Sequence, residues 1–354
     1  MKILEELLEE MCERKASDLL ITVGTSPQLR INGILMPANY PQMDSATIER
    51  LAHQVLGDQR MKVLQARKSV DFSKGYEGLS RFRFNFYYQR SSISIAIRVI
   101  PFKIPAFEEL GLPTVVKDFS VRPHGLVLIT GAAGSGKSTT MAAMLDFINQ
   151  NRRLHIVCLE DPIEYLHHHR LSVIDQREIG EDAHSFAEAL HSVFRQSPDV
   201  IMVGEMRDLE TIQLVLSLAE TGHLIMGTLH TQDTTHAINR IVDVFPPSQQ
   251  QQIYTQLSMV LVGIVAQQLL ITKDATRRVL ACEVMNVNQA IRNLIREMQV
   301  QQLYSAVQTG RIEGMVTMND SLKQLFDKGL IDSGTAMSRS PRPKELARML
   351  ALKG

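Results

Sequence analysis

A chain of 354 residues has room for two domains with separate cores, and a composition 44% hydrophobic and 21% charged is that of a globular protein, not a disordered or fibrous one. Lysine plus arginine and aspartate plus glutamate balance at 38 each, so no basic excess points to nucleic acid, which is excluded from the expected partners. The three cysteines, Cys12, Cys158 and Cys282, are isolated and offer neither a zinc site nor a disulfide framework.

The opening stretch MKILEELLEEMCERK sets Ile3, Leu4, Leu7, Leu8 and Met11 at helical spacing, with the charges opposite. It lacks the basic start and unbroken apolar core of a signal peptide, which leads us to expect a cytoplasmic protein. DLLITVG and PQLRINGIL read as two strands around a turn at Ser26 and Pro27, and a helix covers about 45–66. SRFRFNFYYQRSSISIAIRVI, Ser80 to Ile100, reads as two long antiparallel strands. In the first of them Phe82, Phe84 and Phe86 face one way and Arg81, Arg83 and Asn85 the other. These elements make an α+β domain over 1–100, followed by a proline-bearing linker over 101–118.

From 119 to 354 the rhythm changes. Apolar strands LVLIT, HIVCL, DVIMVG, HLIMGTL and VLACEVM alternate with helices such as SFAEALHSVFRQ and LETIQLVLSLAETG, a pattern that implies a largely parallel α/β sheet. The most apolar run, MVLVGIVA, is far shorter than the roughly 20 residues of a membrane span. SRSPRP near the C-terminus reads as a flexible linker.

Between the strand LVLIT and a helix lies Gly131, Ala132, Ala133, Gly134, Ser135, Gly136, Lys137, Ser138 and Thr139, which fits G-x-x-x-x-G-K-[ST] without a mismatch. Glycines let successive N–H groups point at phosphate oxygens, and the following helix adds the positive end of its dipole. Lys137 is expected to bridge the β- and γ-phosphates of ATP, and the Ser138 hydroxyl to hold Mg2+. Such a loop needs an acid on a neighbouring strand. VIMVGE supplies Glu205, after a glycine at the position where many P-loop proteins carry aspartate, and it would act on Mg2+ partly through water. EDPIEYLH offers Glu160, Asp161 and Glu164 at another strand end. Pro162 favours a turn projecting Glu164 inward as the base for the attacking water, although a capping role fits the pattern nearly as well. His223 opens the strand HLIMGTL and His230 closes it. Residue pattern alone leaves both divided between structural and catalytic roles. The run His167 to His169 reads as a solvated turn, because three consecutive side chains do not converge on one ion.

The P-loop, LEDPIEY, PDVIMVGEMRDLET, ETGHLIMGTLHT and AIRNLIRE together resemble the secretion ATPase superfamily, and within it the PilT family of type IV pilus retraction ATPases, from Ser17 to about residue 330. The four nucleotide boxes are shared with assembly and type II secretion ATPases, whereas AIRNLIRE is characteristic of the retraction branch. The resemblance implies an N-terminal PAS-like domain followed by a RecA-like ATPase domain, assembled as a homo-hexamer with ATP between the domains. Glu164 becomes the catalytic glutamate, Glu205 the Walker B acid, and His223 and His230 the His box. Arg81, Arg83 and Arg98 match arginines that reach the phosphates, although alternation alone makes Arg81 and Arg83 a solvated face. The implied partners are an inner-membrane pilus platform protein and a second retraction ATPase, placing the chain peripherally at that membrane. Departures include Gln196 and Ser197 before the Walker B strand, His191 for an arginine, Leu20 for a histidine, and GAAG for GPTG. They keep an accessory, PilU-like retraction ATPase open as an alternative, beside a pilus assembly or type II secretion ATPase. Ile291, Leu294 and Ile295 of AIRNLIRE form one apolar stripe, which suits a core-facing helix as well as a coupling element.

Overall fold

The structure, a computed structural model, describes residues 2–31, 33–100 and 104–350; the start of the expected linker, 101–103, and Asn32 lie outside the described residues. The chain forms two compact units, Met1–Lys103 with Pro162–Leu166, and Ile104–Asp161 with His167–Gly354.

In the first unit α1 (Lys2–Glu13) precedes β1 (Asp18–Ile21), β2 (Gln28–Ile31) and β3 (Ile34–Pro37), then α2 (Ser45–Arg67), β4 (Ser69–Tyr76), β5 (Ser80–Gln89) and β6 (Ser92–Ile100). The six strands form one antiparallel sheet in the order β3-β2-β1-β6-β5-β4. PQLRINGIL is thus two strands, with Gly33 in their turn at φ 85°. The helix at 45–67 is two segments joined at Gly57, whose φ of 60° and ψ of −178° are not helical. One sheet face is dry: Phe82, Phe84 and Phe86 are fully buried against Leu4, Leu7, Leu8 and Met11 of α1 and Ile48, Leu51 and Leu64 of α2. The other face carries Arg81, Arg83 and Arg98. This one-sided burial is what produces the strict alternation in the sequence.

The second unit continues through α3 (Val115–Ser120), β7 (Gly125–Thr130), α4 (Lys137–Asn151), β8 (His155–Glu160), β9 (Val173–Glu178), α5 (Phe186–Val193), β10 (Val200–Val203), α6 (Leu209–Glu220) and β11 (Leu224–Leu229). It ends with α7 (Thr234–Val242), α8 (Pro247–Val260), β12 (Leu261–Ile271), β13 (Arg278–Asn286), α9 (Gln289–Arg296), α10 (Leu303–Thr309), α11 (Met318–Asp327), α12 (Ser333–Arg339) and α13 (Pro343–Met349). The sheet order is β13-β12-β7-β11-β10-β8-β9, parallel throughout except where β13 returns against β12. Both faces are covered. Leu126, Leu128, Ile201, Val203 and Ile225 face the side that holds α5 to α9, while Val127, Ile129, Val200, Met202 and Met226 face that of α3 and α4. Two-sided burial explains why these strands read as unbroken apolar runs.

SRSPRP is not a loose linker. The Ser340 hydroxyl donates to Asn319 Oδ1 at 2.6 Å, the Asn319 amide donates to the Arg342 carbonyl at 3.2 Å, and the Arg342 guanidinium lies 3.6 Å from the centre of the Tyr304 ring. In α9 Ile291 and Ile295 are fully buried, the core-facing arrangement the spacing allows. Arg292 donates to the Ser258 and Met259 carbonyls at 2.6 and 2.7 Å, satisfying the C-terminal end of α8.

Candidate active site

Parallel strands deliver their carboxyl ends to one edge of the second unit's sheet. There β7 runs into the glycine loop, in which Gly131, Gly134 and Gly136 have φ of 147°, 75° and 93°. A Cβ on Gly131 would stand 2.5 Å from both the Gln267 carbonyl oxygen and Ser135 Oγ, so any other residue between β7 and β12 would force the loop to shift. Lys137, the first residue of α4, is 9% exposed, and its ammonium donates to the carbonyls of Gly131 at 2.9 Å and Ala132 at 3.1 Å. Ser138 and Thr139 follow on the same turn. Ser135 Oγ is buried with no hydrogen-bond partner among the described residues. A buried hydroxyl left unpaired calls for a partner, and a phosphate oxygen seated in the loop would supply one.

Glu205 lies just beyond β10. His230 Nε2 stands 3.1 Å from its Oε1, and Arg207 pairs with the same oxygen. Burial pushes the Glu205 carboxyl up, but the hydrogen bond from Arg207 and the charges of His230 and Arg207 outweigh it and hold the group below the ordinary glutamate range. The neighbouring glycine has a steric cause: a Cβ on Gly204 would meet the Leu159 carbonyl oxygen at 3.1 Å, closer than ordinary contact. The turn after Glu205 is pinned to β11, since Met206 N–H donates to the Thr228 carbonyl at 3.1 Å and the Thr228 hydroxyl donates to the Gly204 carbonyl. Thr130, immediately before the glycine loop, donates through its hydroxyl to the Thr231 carbonyl at 2.6 Å and accepts from Thr231 N–H at 3.0 Å. Loop, acid and His230 are thereby one hydrogen-bonded assembly.

His223 is not brought to it. It precedes β11 at the opposite end, seven residues or about 20 Å of extended chain from His230, with Nδ1 3.0 Å from the Leu218 carbonyl. Glu160, at the end of β8, is 7% exposed and accepts from the Gln176 amide at 2.9 Å. His167 departs from the expected solvated turn: its Nδ1 is buried without a partner among the described residues, and burial lowers its pKa to about 4 despite Asp146 nearby.

Glu164 is exposed and belongs, with Pro162–Leu166, to the first unit. So do the three arginines, which share the polar face of that sheet. Arg83 and Arg98 are direct cross-strand neighbours, and Arg98 faces Asp18 on β1. Like charges so placed repel. Asp18 offsets this from 2.8 Å at Arg98, and Asp71 takes a two-pronged pair from Arg83 at 3.0 and 2.6 Å. Arg81 donates to Ser73 Oγ at 2.8 Å.

Three further residues complete the assembly: Arg207, whose place two residues beyond Glu205 is the one linear sign of their pairing, and Thr130 and Thr231, which lie 101 residues apart and leave no linear signal.

The family described as "Type II/IV secretion system protein" matches residues 1–331. The chain is 43% identical over 339 residues to the type IV pilus retraction ATPase PilT of Pseudomonas aeruginosa, spanning 96% of this chain and 98% of that protein. To the type IV pilus ATPase PilU of the same organism it is 37% identical over 348 residues, 98% and 91% of the two chains. The crystal structure of the pilus retraction motor PilT with bound ADP superposes with a TM-score of 0.91 at 47% identity, covering 97% of this chain and 98% of that one.

Proposed function

Because the chain belongs to the type II/IV secretion system protein family, we propose that it is an ATPase whose hydrolysis powers retraction of a type IV pilus. The working form we propose is a homo-hexameric ring acting on an inner-membrane platform protein. Among the described residues no helix is long and apolar enough to cross a membrane, so attachment would be peripheral.

Within the site, the backbone of 131–136 cradles the phosphates and Lys137 meets their charge. The unpartnered Ser135 hydroxyl and the glycine-favouring geometry of Gly131 fit that ligand. Mg2+, held by Ser138 and through water by Glu205, supplies charge neutralisation when bound. His230 and Arg207 keep Glu205 ionised and fixed in direction. Glu164 accepts the proton of the attacking water, and Arg81, Arg83 and Arg98 stabilise charge on the transferring phosphoryl, a contribution that in related chemistry reaches about 10³ to 10⁵ in rate. His223, at the far end of β11, takes no part in phosphate chemistry under this reading.

The observation that carries the proposal is that Thr130, at the head of Lys137's loop, is hydrogen-bonded to Thr231, next to the His230 that contacts Glu205, in a chain aligned with a retraction ATPase over nearly its full length. The test is a strain lacking this chain, scored for surface pili and twitching. Abundant, immobile pili are expected. A bald cell would assign the chain to assembly instead, and partly retained twitching would make it the accessory motor.

A further inference from the structure

Glu283 lies on β13 opposite Ala266 of β12, only 2% exposed, and no part of the chemistry above uses it. Its carboxylate is shared between the first residues of two helices. Oε1 accepts from the Thr234 N–H at 3.0 Å and the Thr234 hydroxyl at 2.7 Å, at the start of α7. Oε2 accepts from the Met318 N–H at 3.4 Å, at the start of α11. A buried carboxylate is costly unless donors meet it, and here they are the free N–H groups and positive dipole ends of two helices. Asp233, the N-cap of α7, is the like charge beside it, and burial pushes the Glu283 carboxyl up.

The position matters because α7 begins four residues after His230. The loop His230–Asp233 is fastened at its front by the His230 contact to Glu205 and the Thr231 contacts to Thr130. Its rear is fastened by Asp233 and Thr234, the latter held by Glu283. Behind Glu283, α11 belongs to the small core of Met318, Leu322, Leu325, Ile331, Ala336 and Leu346 that unites α11 to α13. We propose that Glu283 is a positioning residue for ATP hydrolysis: by tying the start of α7 to the start of α11, it sets how His230 meets Glu205 and makes that contact responsive to the C-terminal helices. The proposal rests on the reading of Glu205 and His230 given above.

Glutamine has one acceptor oxygen where glutamate has two. In Glu283→Gln the side chain can serve α7 or α11, while its amide meets an N–H at the other. The full-length protein should keep its melting temperature to within a few degrees and its KM for ATP to within about twofold, because the glycine loop is untouched, while kcat falls about tenfold. Thr234→Val, which removes only the hydroxyl donor, should lower kcat about threefold, and Thr234→Ser should restore it. Unchanged kcat in folded Glu283→Gln overturns the proposal, as does a KM that rises in step with the fall in kcat. If Glu283→Gln does not fold, the Thr234 pair decides by the same criteria. His230→Ala measured alongside separates the failures: unimpaired His230→Ala sinks the active-site reading, whereas impaired His230→Ala with normal Glu283→Gln sinks this proposal alone.

Discussion

Glu205 and His167 form a contrast, one a charge that is held and the other a charge that is refused. Glu205 is held ionised by Arg207 and His230, so acid should not discharge it until below the ordinary glutamate range. His167 is the opposite case. Burial lowers its pKa to about 4, and His168 works in the same direction against Asp146. Its ordinary value is near 6.5, so between pH 6.5 and 4 the unfolded chain binds a proton there that the folded chain does not. Stability from this group is therefore complete above pH 6.5 and drains away as pH falls, by up to about 3 kcal/mol. Melting temperatures measured over that range should fall more steeply for the wild type than for His167→Gln. Parallel curves would show that His167 titrates as it does in water.

At the scale of elements, the glycine loop depends on how closely β7 and β12 approach. Gly131→Ala places a methyl at φ 147°, 2.5 Å from the backbone oxygen of Gln267, which cannot swing aside as a side chain could. Strain of roughly 1–3 kcal/mol is expected, distributed into the loop, so the variant should fold yet bind a fluorescent ATP analogue at least about tenfold more weakly. Wild-type affinity would mean that the loop tolerates the displacement. Much of this element pattern was legible. The strands β7, β8, β10 and β11 announce themselves because both of their faces are buried, and Phe82, Phe84 and Phe86 because only one is. Two strands escaped, β9 for its polar sequence and β12 for its unmarked start, although β12 is buried on both faces over most of its length. The edge strand β9 reads VIDQRE, and β12 follows α8 at Val260 and Leu261 with no glycine or proline to mark the change. The glycine loop is a linear motif and could be read from spacing. The contacts that orient its surroundings join residues 101 and 49 positions apart, Thr130 to Thr231 and Glu283 to Thr234, and only folding brings them together.

The whole molecule divides its chemistry unevenly between its units. Everything proposed to hold the nucleotide, from Gly131 to Ser138 with Glu205 and His230, sits in the second unit, whose sheet is covered on both faces by its own helices. Arg81, Arg83 and Arg98 sit in the first, which also includes the segment bearing Glu164. A fragment beginning at Ile104 keeps the second unit's cores and should fold and bind Mg-ATP within about threefold of the full chain. It retains Glu164 in its sequence but loses the strands that carry the arginines, together with the body to which 162–166 belongs. Phosphate release should therefore fall by at least about 10³, the lower end of what such arginines contribute. Binding and turnover are checked separately, by titration of a fluorescent nucleotide and by a phosphate assay. Turnover retained at the full-length rate would place hydrolysis entirely within the second unit, and the arginines on the polar face of the first sheet would then serve that sheet alone.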